Sequence, residues 1–170
     1  MNRKATRYLA QGAIIAAIYA ALTYAASLIG LGYGSIQFRF SEAFTILPVF
    51  TPAATAGLTL GCALGNLTSP YGIVDIVCGT AATLVAALAT RAVRHVKVGS
   101  FPVLAPLPPV LANALIVGAE ITLLAPDASL AAFAFSALTV GLGELVVCYG
   151  LGAPFYYLME KYKRRLFGAL

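Results

Sequence analysis

Long apolar stretches separated by short basic clusters are the feature that most restricts how this chain can fold. The first stretch covers about residues 8–31 and matches the roughly 20 residues that a helix needs to cross a bilayer. It exceeds the core of a secretory signal, which has about 7–15 residues, so we expect an uncleaved transmembrane helix. Charged residues make up only 10% of the chain, against about 25% in soluble domains. The pattern predicts an all-α, polytopic membrane protein.

Glycine, proline and turn signals divide the remaining chain into five further apolar helices. Gly30, Gly32 and Gly34 end the first helix, because glycine costs about 1 kcal/mol relative to alanine inside a helix. The predicted helices cover residues 8–31, 42–50, 52–67, 73–93, 103–124 and 130–158. The second and third are short for a bilayer, so we expect at least one of them to be partial or strongly tilted. All six belong to a single integral membrane domain, residues 1–170.

Ten of the eleven basic residues fall into three clusters, within residues 3–7, 91–97 and 161–165. Short basic loops beside transmembrane helices remain in the cytoplasm. With a cytoplasmic N terminus, six crossings place all three clusters inside, whereas three or five crossings leave one cluster outside. We therefore expect six transmembrane helices, both termini in the cytoplasm, and the eleventh basic residue, Arg39, in an outer loop. The clusters separate apolar blocks and do not lie on a polar surface, so nucleic-acid binding is not expected.

Ionisable and amide side chains at membrane depth are the main functional candidates, because a charge there costs about 2.5–3.5 kcal/mol on insertion scales. Glu144 lies near the middle of the sixth helix with no basic residue nearby in sequence. Asn113 and Glu120 are seven residues apart and are expected on one helix face. Asn113 can alternatively satisfy backbone groups that the nearby prolines leave open. Glu120 and Asp75 fall toward outer helix ends, where solvation or, for Asp75, helix-start stabilisation competes with ligand binding.

The segment joining the first two helices carries further polar and aromatic candidates. Arg39 and Glu42 have an (i, i+3) spacing, so they can pair and fix this loop or face a ligand. Gln37 and Asn66 offer amide groups near the same side of the membrane. Three aromatic residues in or near the outer loops can stack on a flat ligand or merely cover it: Phe38, Phe40 and Tyr71.

Small residues recur at every fourth position on two of the helices. They are Ala13, Ala17, Ala21 and Ala25 on the first helix and Gly57, Gly61 and Gly65 on the third. Such rows allow helix backbones to approach closely in lipid. The glycine row is expected to pack inside the bundle. The first helix carries small residues on two adjacent faces, so its alanine row can also dock another membrane subunit.

The sequence contains no recognisable catalytic or metal-binding motif. His95 is the only histidine and lies in a basic cluster, while the three cysteines are far apart and lack metal-ligand spacing. The chain contains neither GxxxxGK[ST] nor HExxH. We therefore expect no enzyme activity, no metal and no cofactor in this chain.

Four segments resemble the QueT family of membrane transport proteins. They read GSIQFRFSEAFTILP (34–48), DIVCGTAATLVAA (75–87), APLPPVLANALIVGAE (105–120) and GLGELVVCYGLGAP (141–154). The family comprises substrate-binding S-components of energy-coupling-factor transporters for queuosine precursors. The resemblance implies a six-helix S-component fold in the prokaryotic cytoplasmic membrane. It also implies that a transmembrane T subunit docks on Ala13, Ala17 and Ala21, and that two partner ATPases use the ATP.

The implied ligand is a 7-deazaguanine base that carries a nitrile, an aminomethyl group or the queuine side chain. Such a base presents an N–H and an amino group side by side, which match the two oxygens of one carboxylate. Glu144 is the expected carboxylate, with Asp75 in reserve, and Asn113, Gln37 and Asn66 are expected to read the carbonyl and ring nitrogens. A different class of function stays open, in which Glu144, Glu120 and Asp75 form the proton relay of a self-sufficient secondary transporter for a small polar or heterocyclic solute.

Overall fold

The computed structural model describes residues 3–33 and 37–168, and over these residues the chain forms helices and turns but no β-strand. The helical segments of ten or more residues are α1 Arg3–Leu28, a 3₁₀ helix Phe40–Val49, α2 Ala53–Gly65, α3 Ile73–Val93, α4 Leu107–Leu124 and α5 Leu130–Phe167. The all-α class is therefore confirmed. Gly34, at the predicted end of the first helix, lies outside the described residues.

Membrane-spanning length is reached by four of these segments. Within the described residues, α1, α3, α4 and α5 are long and apolar enough to cross a bilayer, whereas α2 has 13 residues. The structure thus supports a multi-pass membrane protein. Six crossings remain a prediction, because the 3₁₀ helix and α2 are each shorter than a bilayer span.

The three basic clusters come together at one end of the bundle. Arg7 Nη2 donates to the carbonyl oxygen of Leu166 over 3.2 Å, which joins the first cluster to the last. Arg91 Nη1 donates to the carbonyl oxygen of Pro48 over 3.1 Å, and the 3₁₀ helix that contains Pro48 packs against α5. This grouping agrees with the charge pattern of the sequence. The side of the membrane that this end faces stays a prediction.

The glycine row of α2 packs directly against α1. A Cβ added at Gly57 would lie 2.7 Å from the carbonyl oxygen of Gly12, and one at Gly61 would lie 2.9 Å from the carbonyl oxygen of Ala16. A Cβ at Gly65 would meet Thr23. These contacts leave no room for a side chain, so the glycine row allows the close approach of the two backbones. Its predicted role in packing within the bundle is confirmed.

The alanine row of α1 faces away from this contact. The buried residues of α1 are Ile15, Ala16, Tyr19, Thr23 and Ala26. Ala13, Ala17, Ala21 and Ala25 are all exposed. The packing between α1 and α2 therefore does not use this row, and a strip of small residues remains open along the outer surface of α1.

The second helical segment differs from the sequence prediction in its type. A short α-helix was expected over residues 42–50, but the structure has a ten-residue 3₁₀ helix, Phe40–Val49. Such helices rarely exceed three or four residues, because their hydrogen-bond geometry is poorer than that of an α-helix. This one contains Pro48, which lacks an N–H, and most of its residues are buried among the other helices. Tertiary packing therefore stabilises a backbone that local propensity alone would not select.

Two π-helical segments interrupt the long helices that follow. Asn113–Val117 lies within α4 and Val146–Leu151 within α5. Short π segments inside α-helices occur frequently at functional sites, because they change which residues face the same neighbour. Several predicted boundaries also move: α4 begins at Leu107 instead of residue 103, and α5 continues to Phe167 instead of residue 158. The last turn of α5 is stabilised where Phe167 stacks on Phe50, with 5.5 Å between the ring centroids.

Candidate functional site

The polar residues predicted to bind a ligand lie in the interior of the helix bundle. Seven of them are at most 3% exposed: Gln37, Arg39, Glu42, Asn66, Asp75, Asn113 and Glu144. Glu120 is equally buried, at 3% exposed. Burial of polar and charged groups is unfavourable unless they are paired with one another or with a ligand. These residues therefore define the candidate site, which is built from the residues before the 3₁₀ helix, the 3₁₀ helix itself, and α2 to α5.

Arg39 lies in the segment between α1 and the 3₁₀ helix, as the sequence predicts, and its side chain is buried, at 1% exposed. Its Nη2 is 3.6 Å from Glu42 Oε1, so the predicted (i, i+3) pair is confirmed. The hydroxyl group of Tyr19 on α1 donates a hydrogen bond to the same carboxylate oxygen. The pair allows the arginine to be buried, because buried charges require an opposite charge and hydrogen bonds. The hydrogen bond from Tyr19 to Glu42 also connects α1 to the 3₁₀ helix.

Asn66 connects Arg39 to the start of α3. Its Oδ1 is 3.4 Å from Arg39 Nη1, and its Nδ2 donates to the carbonyl oxygen of Asp75 over 2.9 Å and approaches Asp75 Oδ1 at 3.4 Å. A Cβ at Gly79 would overlap this amide nitrogen, so a larger residue at that position of α3 would displace the Asn66 side chain. The amide is thus fixed on both sides, with its oxygen oriented toward the guanidinium group.

Glu144 lies on α5, two residues before the π segment of that helix. Cys148 Sγ is 3.5 Å from Glu144 Oε2, and the side chain of Asn113 on α4 also interacts with this carboxyl group. Arg39 and Glu42 are its charged neighbours. The structure therefore brings together Asn113, the first residue of one π segment, and Glu144, which precedes the other, and Glu144 interacts electrostatically with the arginine.

The Gln37 backbone packs tightly against α5. A Cβ added at Gly143 would overlap the carbonyl oxygen of Gln37. Two residues later, Arg39 has an extended backbone (φ −82°, ψ 106°) that directs the chain into the 3₁₀ helix. Gly143 therefore lets this segment approach α5 closely enough to bring Arg39 near Glu144.

Several buried polar atoms of the described residues have no hydrogen-bond partner there. They include Arg39 Nε and Nη2, Glu42 Oε2, Asn113 Oδ1 and both carboxylate oxygens of Glu120. Buried polar groups in native proteins are nearly always hydrogen-bonded, so such a concentration requires an explanation. The set combines guanidinium donors with carboxylate and amide acceptors, and Arg39 interacts electrostatically with both Glu120 and Glu144. A small polar ligand that carries both donors and acceptors fits this chemistry.

Asn113 and Glu120 are both buried, at 1% and 3% exposed. Asn113 interacts with Glu144, whereas the charged neighbours of Glu120 are Asp75 and Arg39. The π segment Asn113–Val117 begins at Asn113 and adds to the number of residues per turn. That the two residues share one helix face stays a prediction.

The aromatic candidates are less buried than the polar residues of the site. Phe38, Phe40 and Tyr71 are each partly buried. The backbone N–H of Phe38 donates to the carbonyl oxygen of Leu31 over 2.9 Å, and that of Tyr71 donates to Ser69 Oγ over 3.1 Å. These bonds fix their backbones, and their proposed role as covers or stacking partners of a ligand remains a prediction.

Sequence reasoning missed two residues that contact the site. Tyr19 donates to Glu42, and Cys148 lies against Glu144 as well as 3.7 Å from the carbonyl oxygen of Glu42. Cys148 is four residues after Glu144 and therefore lies one turn further along α5. A signal for Tyr19 did exist, because a tyrosine in the middle of a transmembrane helix requires a partner for its hydroxyl group.

Comparison with known proteins identifies the family. The family model described as the QueT transporter matches residues 9–161. This chain belongs to the QueT transporter family. A curated relative in Lactococcus lactis subsp. cremoris, "Queuosine precursor transporter QueT", is 35% identical over 85 residues. The match covers 50% of this QueT-family chain and 50% of the relative, so the chain spans about half the length of that protein. No solved structure matches the chain.

Proposed function

We propose that this QueT-family protein is the substrate-binding subunit of an energy-coupling-factor importer for a 7-deazaguanine precursor of queuosine. The observation that carries the proposal is the set of buried donors and acceptors, including two nitrogens of Arg39, that have no hydrogen-bond partner in the described residues. A polar heterocycle satisfies such groups, whereas an apolar solute would leave them unpaired at a cost of about 1–3 kcal/mol each. Family membership and the name of the Lactococcus relative support the substrate class.

Recognition of the base is proposed to begin at Glu144. The two oxygens of its carboxylate accept the ring N–H and the neighbouring amino group of the deazaguanine. Asn113 lies against Glu144 and has a buried Oδ1 without a partner, which suits it to read the same edge. Asp75 is the second choice for the carboxylate that binds this edge of the base, because its carboxyl group already contacts Asn66.

Arg39 is proposed to read the opposite edge of the base. Its Nε and Nη2 are donors, and the carbonyl oxygen and ring nitrogen of a 7-deazaguanine are acceptors. Glu42 orients the guanidinium group from one side and Asn66 from the other. Gln37 is proposed to add an amide contact. The rings expected to cover the base are Phe38, Phe40 and Tyr71.

The exposed alanine row of α1 is the proposed docking surface for the transmembrane T subunit. Ala13, Ala17 and Ala21 form a strip of small side chains that internal packing leaves open. Helices associate in lipid through such strips, because their backbones can approach closely. Under this proposal the two partner ATPases use the ATP, and the basic end of the bundle faces the cytoplasm.

A proton-coupled secondary transporter is the alternative, and one observation favours it. Glu120, Asp75 and Glu144 are all buried, and Glu120 interacts electrostatically with Asp75. Buried carboxylates in succession are typical of proton pathways. Uptake of radiolabelled base into proteoliposomes distinguishes the two functions. An importer subunit requires the ATPase–T module and ATP, whereas uptake by this chain alone under a proton gradient would refute the importer proposal.

Equilibrium binding to the purified protein tests the substrate directly. We expect 7-deazaguanine bases to bind and guanine to bind more weakly or not at all. Glu144→Gln replaces one acceptor oxygen by a donor and leaves the amino group of the base facing a like group, so affinity is expected to fall at least tenfold, or about 1.4 kcal/mol. Glu160→Gln is the matched control, because Glu160 is partly exposed and pairs with Lys163. Unchanged affinity in Glu144→Gln would remove Glu144 from the site.

A further inference from the structure

Glu120 is the buried acidic residue that the proposed recognition of the ring does not use. Its side chain is 3% exposed, and neither carboxylate oxygen has a hydrogen-bond partner in the described part of the chain. It lies in the last two turns of α4, and its charged neighbours are Asp75 and Arg39. A carboxylate in such a position is unfavourable unless a donor or a cation faces it.

The buried charges around it are unequal in number. Four carboxylates are at most 3% exposed: Glu42, Asp75, Glu120 and Glu144. Arg39 is the one lysine or arginine side chain of the described residues that is buried to this extent. The site therefore carries an excess of acidic groups. Buried charges normally occur with a compensating charge, so the excess favours a positively charged ligand.

Arg39 already has other contacts and is not a dedicated partner of Glu120. Its Nη2 lies 3.6 Å from Glu42, and its Nη1 lies 3.4 Å from the amide oxygen of Asn66. Glu120 makes no ion pair within 4 Å in the described residues. Its second charged neighbour, Asp75, is also acidic. Two carboxylates that interact with each other and share a single distant arginine can both be stabilised by one cation between them.

We propose that Glu120, together with Asp75, forms a subsite for an ammonium group on the substituent of the bound base. The inference rests on the proposed function and deepens it. A 7-deazaguanine with an aminomethyl-type substituent is a cation at neutral pH, whereas the nitrile base is neutral. A primary ammonium group has three donors, which suit the two Glu120 oxygens and the Asp75 carboxylate. Arg39 is a charged neighbour of both Glu144 and Glu120, and the proposal places the ring of the base toward Glu144 and its substituent toward Glu120.

The test compares two ligands that differ in charge at the ring substituent. Equilibrium affinities of the aminomethyl and nitrile bases are measured for the wild-type protein, Glu120→Gln, and the surface control Asp127→Asn. We expect the wild-type protein to prefer the aminomethyl base at least tenfold. Glu120→Gln is expected to lower the affinity for the aminomethyl base by about 10- to 100-fold and to change that for the nitrile base less than about threefold. Asp127→Asn is expected to keep both affinities.

Each contrary outcome has a separate meaning. If Glu120→Gln lowers the affinity for both bases equally, Glu120 acts in folding or in positioning the ring, and the subsite proposal is overturned. Equal affinities of the wild-type protein for the two bases would overturn it as well. Repeating the titrations with choline in place of sodium separates an ammonium subsite from a sodium site. If the preference for the aminomethyl base over the nitrile base disappears without sodium, the proposal is overturned. Failure of the wild-type protein to bind any deazaguanine would overturn the proposed function and the subsite together, whereas nitrile binding without discrimination refutes the subsite alone.

Discussion

Replacement of Tyr19 by phenylalanine tests the contact that joins α1 to the site. Tyr19 is fully buried, and its hydroxyl group donates to Glu42 Oε1. Phenylalanine keeps the ring and removes only the donor. The affected oxygen then retains the contact to Arg39 at 3.6 Å, which is longer than a hydrogen bond, and Glu42 Oε2 has no partner in the described residues. Tyr19→Phe therefore leaves a buried carboxylate without a hydrogen-bond donor.

The expected loss of stability follows from this change in hydrogen bonding. Hydrogen bonds to charged groups contribute about 1.5–3 kcal/mol, and the burial of Glu42, which is 1% exposed, prevents water from replacing the lost donor. For a chain of this size, 1 kcal/mol shifts the thermal midpoint by roughly 2–4 °C. Tyr19→Phe is thus expected to lower the midpoint of the ligand-free protein by about 3–12 °C.

Thermal unfolding in detergent, followed by intrinsic fluorescence or circular dichroism, measures the shift. Tyr24→Phe is the matched control, because Tyr24 lies on the same helix and is 43% exposed. The control is expected to change the midpoint by no more than about 1 °C, as surface substitutions usually do. Equal midpoints for Tyr19→Phe and wild-type protein would refute the assigned hydrogen bond and, with it, the contact between α1 and Glu42.

Three further substitutions test other contacts of the structure. Gly143→Ala is expected to displace the Gln37 segment and to weaken binding of the proposed base about tenfold or more in a titration. Gly150→Ala is the control, because an added Cβ there meets nothing within 4 Å, and it is expected to leave the affinity for the base unchanged. Gly61→Val is expected to lower the thermal midpoint by separating α2 from α1, and an unchanged midpoint would contradict that packing. Under the proposed function, Ala17→Phe is expected to prevent co-purification with the proposed T subunit while binding of the proposed base persists. Loss of both would show a folding defect instead.

The sequence was most informative where hydropathy and turn residues decide the structure. The predicted helix over residues 73–93 coincides with α3, Ile73–Val93, because Gly72 precedes it and a basic cluster begins in its last turn. The end of α4 at Leu124 and the start of α5 at Leu130 also agree, since a proline, an aspartate and a capping serine separate them. Apolar length and strong turn signals are local properties, and a single sequence reports them directly.

Features that depend on tertiary contacts were not predictable in this way. The 3₁₀ helix Phe40–Val49 and the π segments differ from an α-helix only in hydrogen-bond register, for which composition has no signature. The burial of Arg39 depends on Glu42 and on Asn66, which lies 27 residues away in the chain. The polar residues of the site were nevertheless predictable as a group, because their cost at membrane depth makes each of them conspicuous in an apolar sequence.

Arg39 explains why the site can be assembled from so many separate segments. Its guanidinium group contacts Glu42 of the 3₁₀ helix and Asn66 at the end of α2, and it interacts electrostatically with Glu120 of α4 and Glu144 of α5. Through Glu42 and Tyr19 the same network reaches the buried face of α1, whose opposite face carries the exposed alanine row. A ligand that changes the position of Arg39 therefore acts on the helix proposed to dock the T subunit. Under the proposed function, Tyr19 therefore connects the candidate site to the helix that carries the proposed docking surface.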